Sequence, residues 1–162
     1  MSLSAHTSKK AALIWAITDK LTGLYKPHEY GEVILPLTVI RRFECILAST
    51  KDEVLARYEE VQNLPMRDVL LRKASSKAFY NTSKFTFERL LDDPDSIEAN
   101  FRDHLNGFSE LFQDILEKFN FDSQITTMAN KGILYIVIKE VATPQGQPAP
   151  GCDLRSGDGL YL

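Results

Sequence analysis

The spacing of apolar side chains constrains this chain more than any other feature. From Ala11 to Leu24 the residues Leu13, Ile14, Ile17, Leu21 and Leu24 recur every three or four positions, with Lys10, Asp19 and Lys20 outside the set. This is the signature of one apolar helical face. Trp15 lies off that stripe, because each residue turns a helix by about 100°. Two placements are open to it: beneath a neighbouring loop, or on a surface for a missing partner or domain. A second helix is predicted over Val33 to Leu47, with Val33, Leu37, Ile40 and Leu47 on one side. Pro36 stands inside it and removes a backbone donor at a cost of about 3 kcal/mol, which predicts a kink or a restart there.

Arg41 and Arg42 interrupt the apolar run of that helix. Either they snorkel or pair with Glu32, Glu44 or another carboxylate, or they face a domain interface or a phosphate, which the planar guanidinium fork suits. Further helices are expected over residues 50–62 and 66–75, separated by a turn at "NLP". Asp93 is placed as an N-cap with Pro94 at the first helical position, opening a helix to Leu105. "NGFS" breaks it, and Ser109 is placed to cap a helix whose face is Leu111, Phe112, Ile115 and Phe119. "GILYIVIKEV" favours a strand by propensity. No other segment offers it a partner strand, however, and an unpaired strand leaves its backbone groups unsatisfied, so we read it as helix. The fold expected is all-α: one compact multi-helix domain over 9–142, a flexible start at 1–8, and an irregular tail at 143–162 with four Gly and three Pro.

The 162 residues are the size of one domain, and a formal charge of −3 names no partner. Two cysteines, Cys45 and Cys152, make no disulfide framework, and His6, His28 and His104 show no metal-ligand spacing. No apolar run reaches membrane-spanning length, and "MSLSAHTSKK" lacks a signal-peptide core, so a cytoplasmic protein is expected. No glycine-rich nucleotide loop, nucleophile elbow, H-E-x-x-H or Cys-x-x-Cys is present. Asp92, Asp93 and Asp95 are accounted for by the helix start they adjoin.

Local charge is more informative. Residues 69–87 hold Arg72, Lys73, Lys77 and Lys84 and no acid, with Phe79, Tyr80, Phe85 and Phe87 interleaved. Such a stretch suits phosphates, with aromatics that either fix the backbone or stack on bases; a solvated surface with aromatics in the core is the alternative. "NTS" at 81–83 matches a glycosylation sequon, but its plainer use is turn or cap chemistry.

Three segments carry a family resemblance: "IWAITDKLTGLYKPHEYGEVILPLTVIRRF" at 14–43, "YNTSKFTFERLLDDPDSIEANFRDHLNGFS" at 80–109, and "LFQDILEKFNFDSQI" with "KGILYIVI" at 111–138. In this order they resemble the amino-terminal domain of type I restriction-modification DNA methyltransferase (modification) subunits. Pro36 departs from the small residue expected there. The resemblance implies a helical domain ahead of a Rossmann-like domain that binds S-adenosylmethionine and methylates an extruded adenine at N6. Neither the glycine-rich loop nor the Asn-Pro-Pro-aromatic motif occurs here, so no catalytic or cofactor residue is carried over, and the chain alone is expected to be inactive. The implied partners are double-stranded DNA, the specificity subunit, the catalytic domain and the restriction subunit. The implied role is to help enclose DNA through sequence-independent backbone contacts, for which Arg72, Lys73, Lys77 and Lys84 are the candidates. Trp15, Arg41 and Arg42 are the candidate interface residues.

The resemblance stops where the tail begins. Codons permitted for Pro144 to Leu162 can be chosen so that a one-base shift reads "L-H-P-D" followed by "M-G-Y-I-F", which resembles the family's own continuation. We therefore expect residues from about 144 onward to be a frameshifted readout that ends at a premature stop, and to pack poorly on the core.

Overall fold

A computed structural model describes residues 11 and 14–142. The expectations for 1–8 and for the tail at 143–162, including its frameshifted origin, fall outside those residues, as does the place of Leu13. Helix α1 runs through 14–21 and stops where Gly23 adopts φ +84°. Its stripe is only partly buried: Ile17 and Leu21 are enclosed, whereas Ile14 and Leu24 are exposed. Leu24 lies beyond the helix end, so the helical register no longer aims it at the core.

A 3₁₀ turn at Pro27–Glu29 leads into α2, Tyr30–Leu47. Lys26 N–H donates to the Glu29 carboxylate at 2.8 Å, which closes this start. Helix α2 does not restart at Pro36; helical structure is continuous through it, and Pro36 itself is buried. Val33, Leu37, Ile40 and Leu47 are all buried, as their spacing predicts. A 3₁₀ turn at Ala48–Thr50 then redirects the chain into α3, Lys51–Val61, which pairs with α4, Arg67–Ser75. This hairpin has its own small core of Val54, Val61, Leu71 and Tyr80.

A short α5, Phe87–Leu90, is capped by Thr86, whose hydroxyl accepts from Arg89 N–H at 3.1 Å. Asp93 caps the next segment as its sequence predicts, accepting from Ser96 N–H at 3.3 Å. That segment opens as a 3₁₀ turn, Pro94–Ser96, before α6, Ile97–Asn106. Then come α7, Glu110–Lys118, α8, Phe121–Asn130, and α9, Leu134–Ala142. Among the described residues no strand forms, only isolated bridges such as Asn81 with Phe108.

The main core joins α1, α2, α5, α6, α7, α8 and α9 around Phe87, Phe101, Phe112 and Phe121. Each such ring removed from water contributes about 1.5–3 kcal/mol. In α7 the expected face is shifted: Leu111 is exposed, while Phe112 and Leu116 are buried. Ser109 is the N-cap residue, but its hydroxyl caps nothing within α7 and instead accepts from Tyr80 N–H at 3.4 Å. Helix α8 was not anticipated from the sequence, although Phe121, Ile125 and Met128 form its buried side.

Candidate nucleic-acid interface

The basic stretch begins in the last turn of α4, where Arg72 and Lys73 complement the negative end of the helix dipole. Ser76 ends that helix in the left-handed conformation, φ 59°. The turn that follows is organised by Ser75, whose buried hydroxyl lies 2.9 Å from the Phe79 carbonyl and accepts from Lys77 N–H at 3.2 Å. Lys77 is thereby held on the outer side of the turn, exposed like Arg72 and Lys73. Asp68 pairs with Arg72 one turn earlier on α4 and also accepts from the Tyr80 hydroxyl at 2.9 Å. Burial, then the bond and charge of Asp68, push the Tyr80 phenol up to about 12.

The aromatics of this stretch face inward. Phe79 packs edge-on against Phe43 with ring centroids 4.4 Å apart, Phe87 is fully buried against Phe101, and Tyr80 belongs to the hairpin core. Phe85 is half-buried with the Lys84 ammonium 5.4 Å from its ring centroid. Between them, "NTS" does turn chemistry: Ser83 N–H donates to Asn81 Oδ1 at 2.6 Å, Phe85 N–H donates to Ser83 Oγ at 3.1 Å, and Asn81 Nδ2 donates to the His104 carbonyl at 2.9 Å. The four cations thus fall into two places. Arg72, Lys73 and Lys77 share the end of α4 and its turn. Lys84 lies in a groove with Tyr58, Glu59 and Asp103, which none of the other three lines.

The interface candidates also separate. Trp15 is 68% exposed on α1 next to exposed Ile14, so among the described residues no loop covers it. Arg41 is buried, pairing with Glu44 and reaching Glu88 at 2.7 Å, with its guanidinium carbon 5.6 Å from the Phe87 ring centroid. Glu44 also accepts from Phe87 N–H at 2.8 Å and lies 3.2 Å from His104 Nε2, an approach without hydrogen-bond alignment. This network ties α2 to α5 and α6 and uses the Arg41 guanidinium inside the domain. Arg42, its neighbour on α2, is half-buried.

Three cations outside the 69–87 window were missed by the sequence reading. Arg67 is exposed at the start of α4. Lys51 and Arg89 line a cleft of about 270 Å³ between α2, the start of α3 and α5. Burial, chiefly, holds the Lys51 ammonium below the ordinary lysine range, and Arg89 adds to this against the opposing pull of Glu44 and Asp52. Only the folded chain brings Lys51 and Arg89 together, so no linear signal could have found that pair, whereas Arg67 stands just before the window, separated from it by Asp68.

Among the described residues no group of three or more His, Cys, Asp and Glu is placed to hold a metal, and no helix is long and apolar enough to cross a membrane. No curated protein and no solved structure matches the chain. The family model of the HsdM N-terminal domain matches residues 10–141. With the helical architecture above, this makes the chain a member of the HsdM N-terminal domain family, the amino-terminal domain of type I restriction-modification modification subunits.

Proposed function

We propose that this domain contacts the sugar-phosphate backbone of duplex DNA and docks the modification subunit against its neighbours, so that the enzyme clasps its substrate. The observation that carries this reading is the division of labour within residues 69–87: the aromatic rings turn to the core or its edge, while Arg72, Lys73, Lys77 and Lys84 remain exposed. Cations without free rings suit phosphate contacts, which position a protein on DNA but carry no sequence information. Sequence reading then falls to the specificity subunit, and transfer from S-adenosylmethionine to adenine N6 falls to the catalytic domain. We assign neither cofactor binding nor catalysis to the residues of this chain, and we place the complex, which also engages the restriction subunit, in the cytoplasm.

Salt-dependent duplex binding tests the reading. Contact with about four phosphates gives a log–log slope near −3.6. In the complete enzyme, replacing Arg72, Lys73, Lys77 and Lys84 together with Gln is expected to weaken binding and flatten that slope while leaving sequence preference intact. An altered recognition sequence at unchanged affinity would overturn it. A second reading, a module that binds only partner subunits, is favoured by the exposure of Trp15 beside Ile14. Retention by the specificity subunit with no duplex binding even at low salt would select it.

A further inference from the structure

Lys51 opens α3 and Arg89 stands on α5, yet both line the cleft that Arg41, Glu44, Asp52, Thr86 and Glu88 also border. Among the described residues neither Lys51 nor Arg89 makes an ion pair. Two of the three cleft carboxylates are already engaged. Glu44 holds Arg41 and Phe87 N–H, and Glu88 holds Arg41, which leaves Asp52 on the rim. Burial chiefly holds the Lys51 ammonium low, Glu44 and Asp52 pull it back up, and Arg89 pushes it down, so Lys51 and Arg89 are close enough within the cleft to feel one another. An anion seated between them would offset their mutual repulsion and supply the counter-charge that makes a desolvated ammonium less costly. Arg89 is also held in place, donating through Nη1 to the Lys84 carbonyl at 2.8 Å, so its backbone neighbourhood adjoins the basic stretch.

We propose that Lys51 and Arg89 form a phosphate-binding site in the cleft between α2, α3 and α5. The cleft, about 270 Å³, falls below the roughly 300–1,000 Å³ of drug-sized ligand sites; it suits a single phosphate group with its water rather than a whole nucleotide cofactor. The guanidinium supplies a planar donor fork and the ammonium a point charge, the two modes in which proteins hold phosphate oxygens. That the phosphate belongs to a DNA backbone rests on the proposed function; the site itself does not.

The experiment follows the Lys51 side-chain ammonium by NMR in the 162-residue chain, titrating with inorganic phosphate, with a short duplex, and with chloride at matched ionic strength. Phosphate is expected to raise the Lys51 titration point and to saturate, chloride to do neither, and the duplex to compete with phosphate. The Lys51→Gln/Arg89→Gln pair is expected to abolish saturation and to reduce the magnitude of the duplex salt slope by about 0.9, the value of one phosphate. Arg89→Gln alone, at an exposed position, serves as a folded variant and is expected to weaken phosphate binding. A Lys51 signal that responds to phosphate and duplex no more than to chloride overturns the site. If the duplex binds with its full salt dependence while Lys51 is silent, the site fails and the DNA reading stands; if phosphate saturates the cleft but no duplex binds, the DNA reading fails and the cleft stands as a site for free phosphate.

Discussion

Two glycines with the same helix-compatible requirement should respond to alanine in opposite directions. Gly107 links α6 to α7 at φ −74°, a conformation any residue adopts, so its need for glycine is not conformational. It is spatial: a Cβ there would lie 2.6 Å from Ser83 N and 2.8 Å from both Asn81 Oδ1 and Ser83 Cβ. The backbone cannot retreat cheaply, because Thr82 N–H donates to the Gly107 carbonyl at 2.8 Å and Ser109 N–H donates to the Tyr80 carbonyl at 2.9 Å. Alanine should gain about 0.4–1 kcal/mol from a stiffer unfolded chain, lose about 1–3 kcal/mol by overpacking, and weaken one or two hydrogen bonds at about 0.5–1.5 kcal/mol each. Gly107→Ala is therefore expected to destabilise the domain by roughly 2–4 kcal/mol. At about 2–4 °C per kcal/mol for a chain of this size, Tm falls by roughly 5–15 °C. Gly31, inside α2, meets nothing within 4 Å; Gly31→Ala should raise stability by about 0.5–1 kcal/mol. Urea unfolding followed by far-UV circular dichroism, with calorimetry for Tm, measures both. A Gly107→Ala protein as stable as the wild type would refute the close-approach argument.

Arg41→Ala leaves the buried Glu44 carboxylate without its cation and is expected to cost about 3–5 kcal/mol in urea unfolding. Burial alone would raise the Glu88 carboxyl, but the bond and charge of Arg41 outweigh it and hold Glu88 below its usual range. Glu88 therefore adds stability above the ordinary carboxylate range that is lost as pH falls through its depressed titration point, and a wild-type-minus-Arg41→Ala stability difference that stays constant through that fall would contradict this. Tyr80, pushed up to about 12, retains its proton in the fold where the unfolded chain loses it near pH 10. The stability it confers is full below that pH and declines as pH rises toward its folded value; ultraviolet difference titration against Tyr80→Phe should show the late phenol. Calorimetry of this chain with millimolar S-adenosylmethionine should register no binding heat, and a micromolar dissociation constant would show a cofactor site that we have not assigned.

Much of the helical architecture was legible because periodicity is local. Val33, Leu37, Ile40 and Leu47 announce the buried side of α2 in any context, and "GILYIVIKEV" became helix α9 once no strand could pair with it. Helix α8 escaped notice although Phe121, Ile125 and Met128 carry the period. Its β-branched and polar residues, Thr126 and Thr127 among them, dilute the signal. The period also leaves the phase of a stripe undetermined by tens of degrees. In α7 it could not say that Leu116 rather than Leu111 would face the core, because the neighbouring helices decide that. The candidate interface was legible only as a run of like charge. Residues 79–87 have no period, so nothing in their order separates rings that stack on a ligand from rings that fill a core. The meeting of Phe43 with Phe79, of Arg41 with Glu88, and of Lys51 with Arg89 joins positions 36 to 47 residues apart. Gly107 shows the same division. Its Asn-Gly pair marks the corner between α6 and α7 in the sequence, but the reason it must be glycine is the backbone of Ser83 at 2.6 Å, a contact that exists only after the chain has folded back on itself.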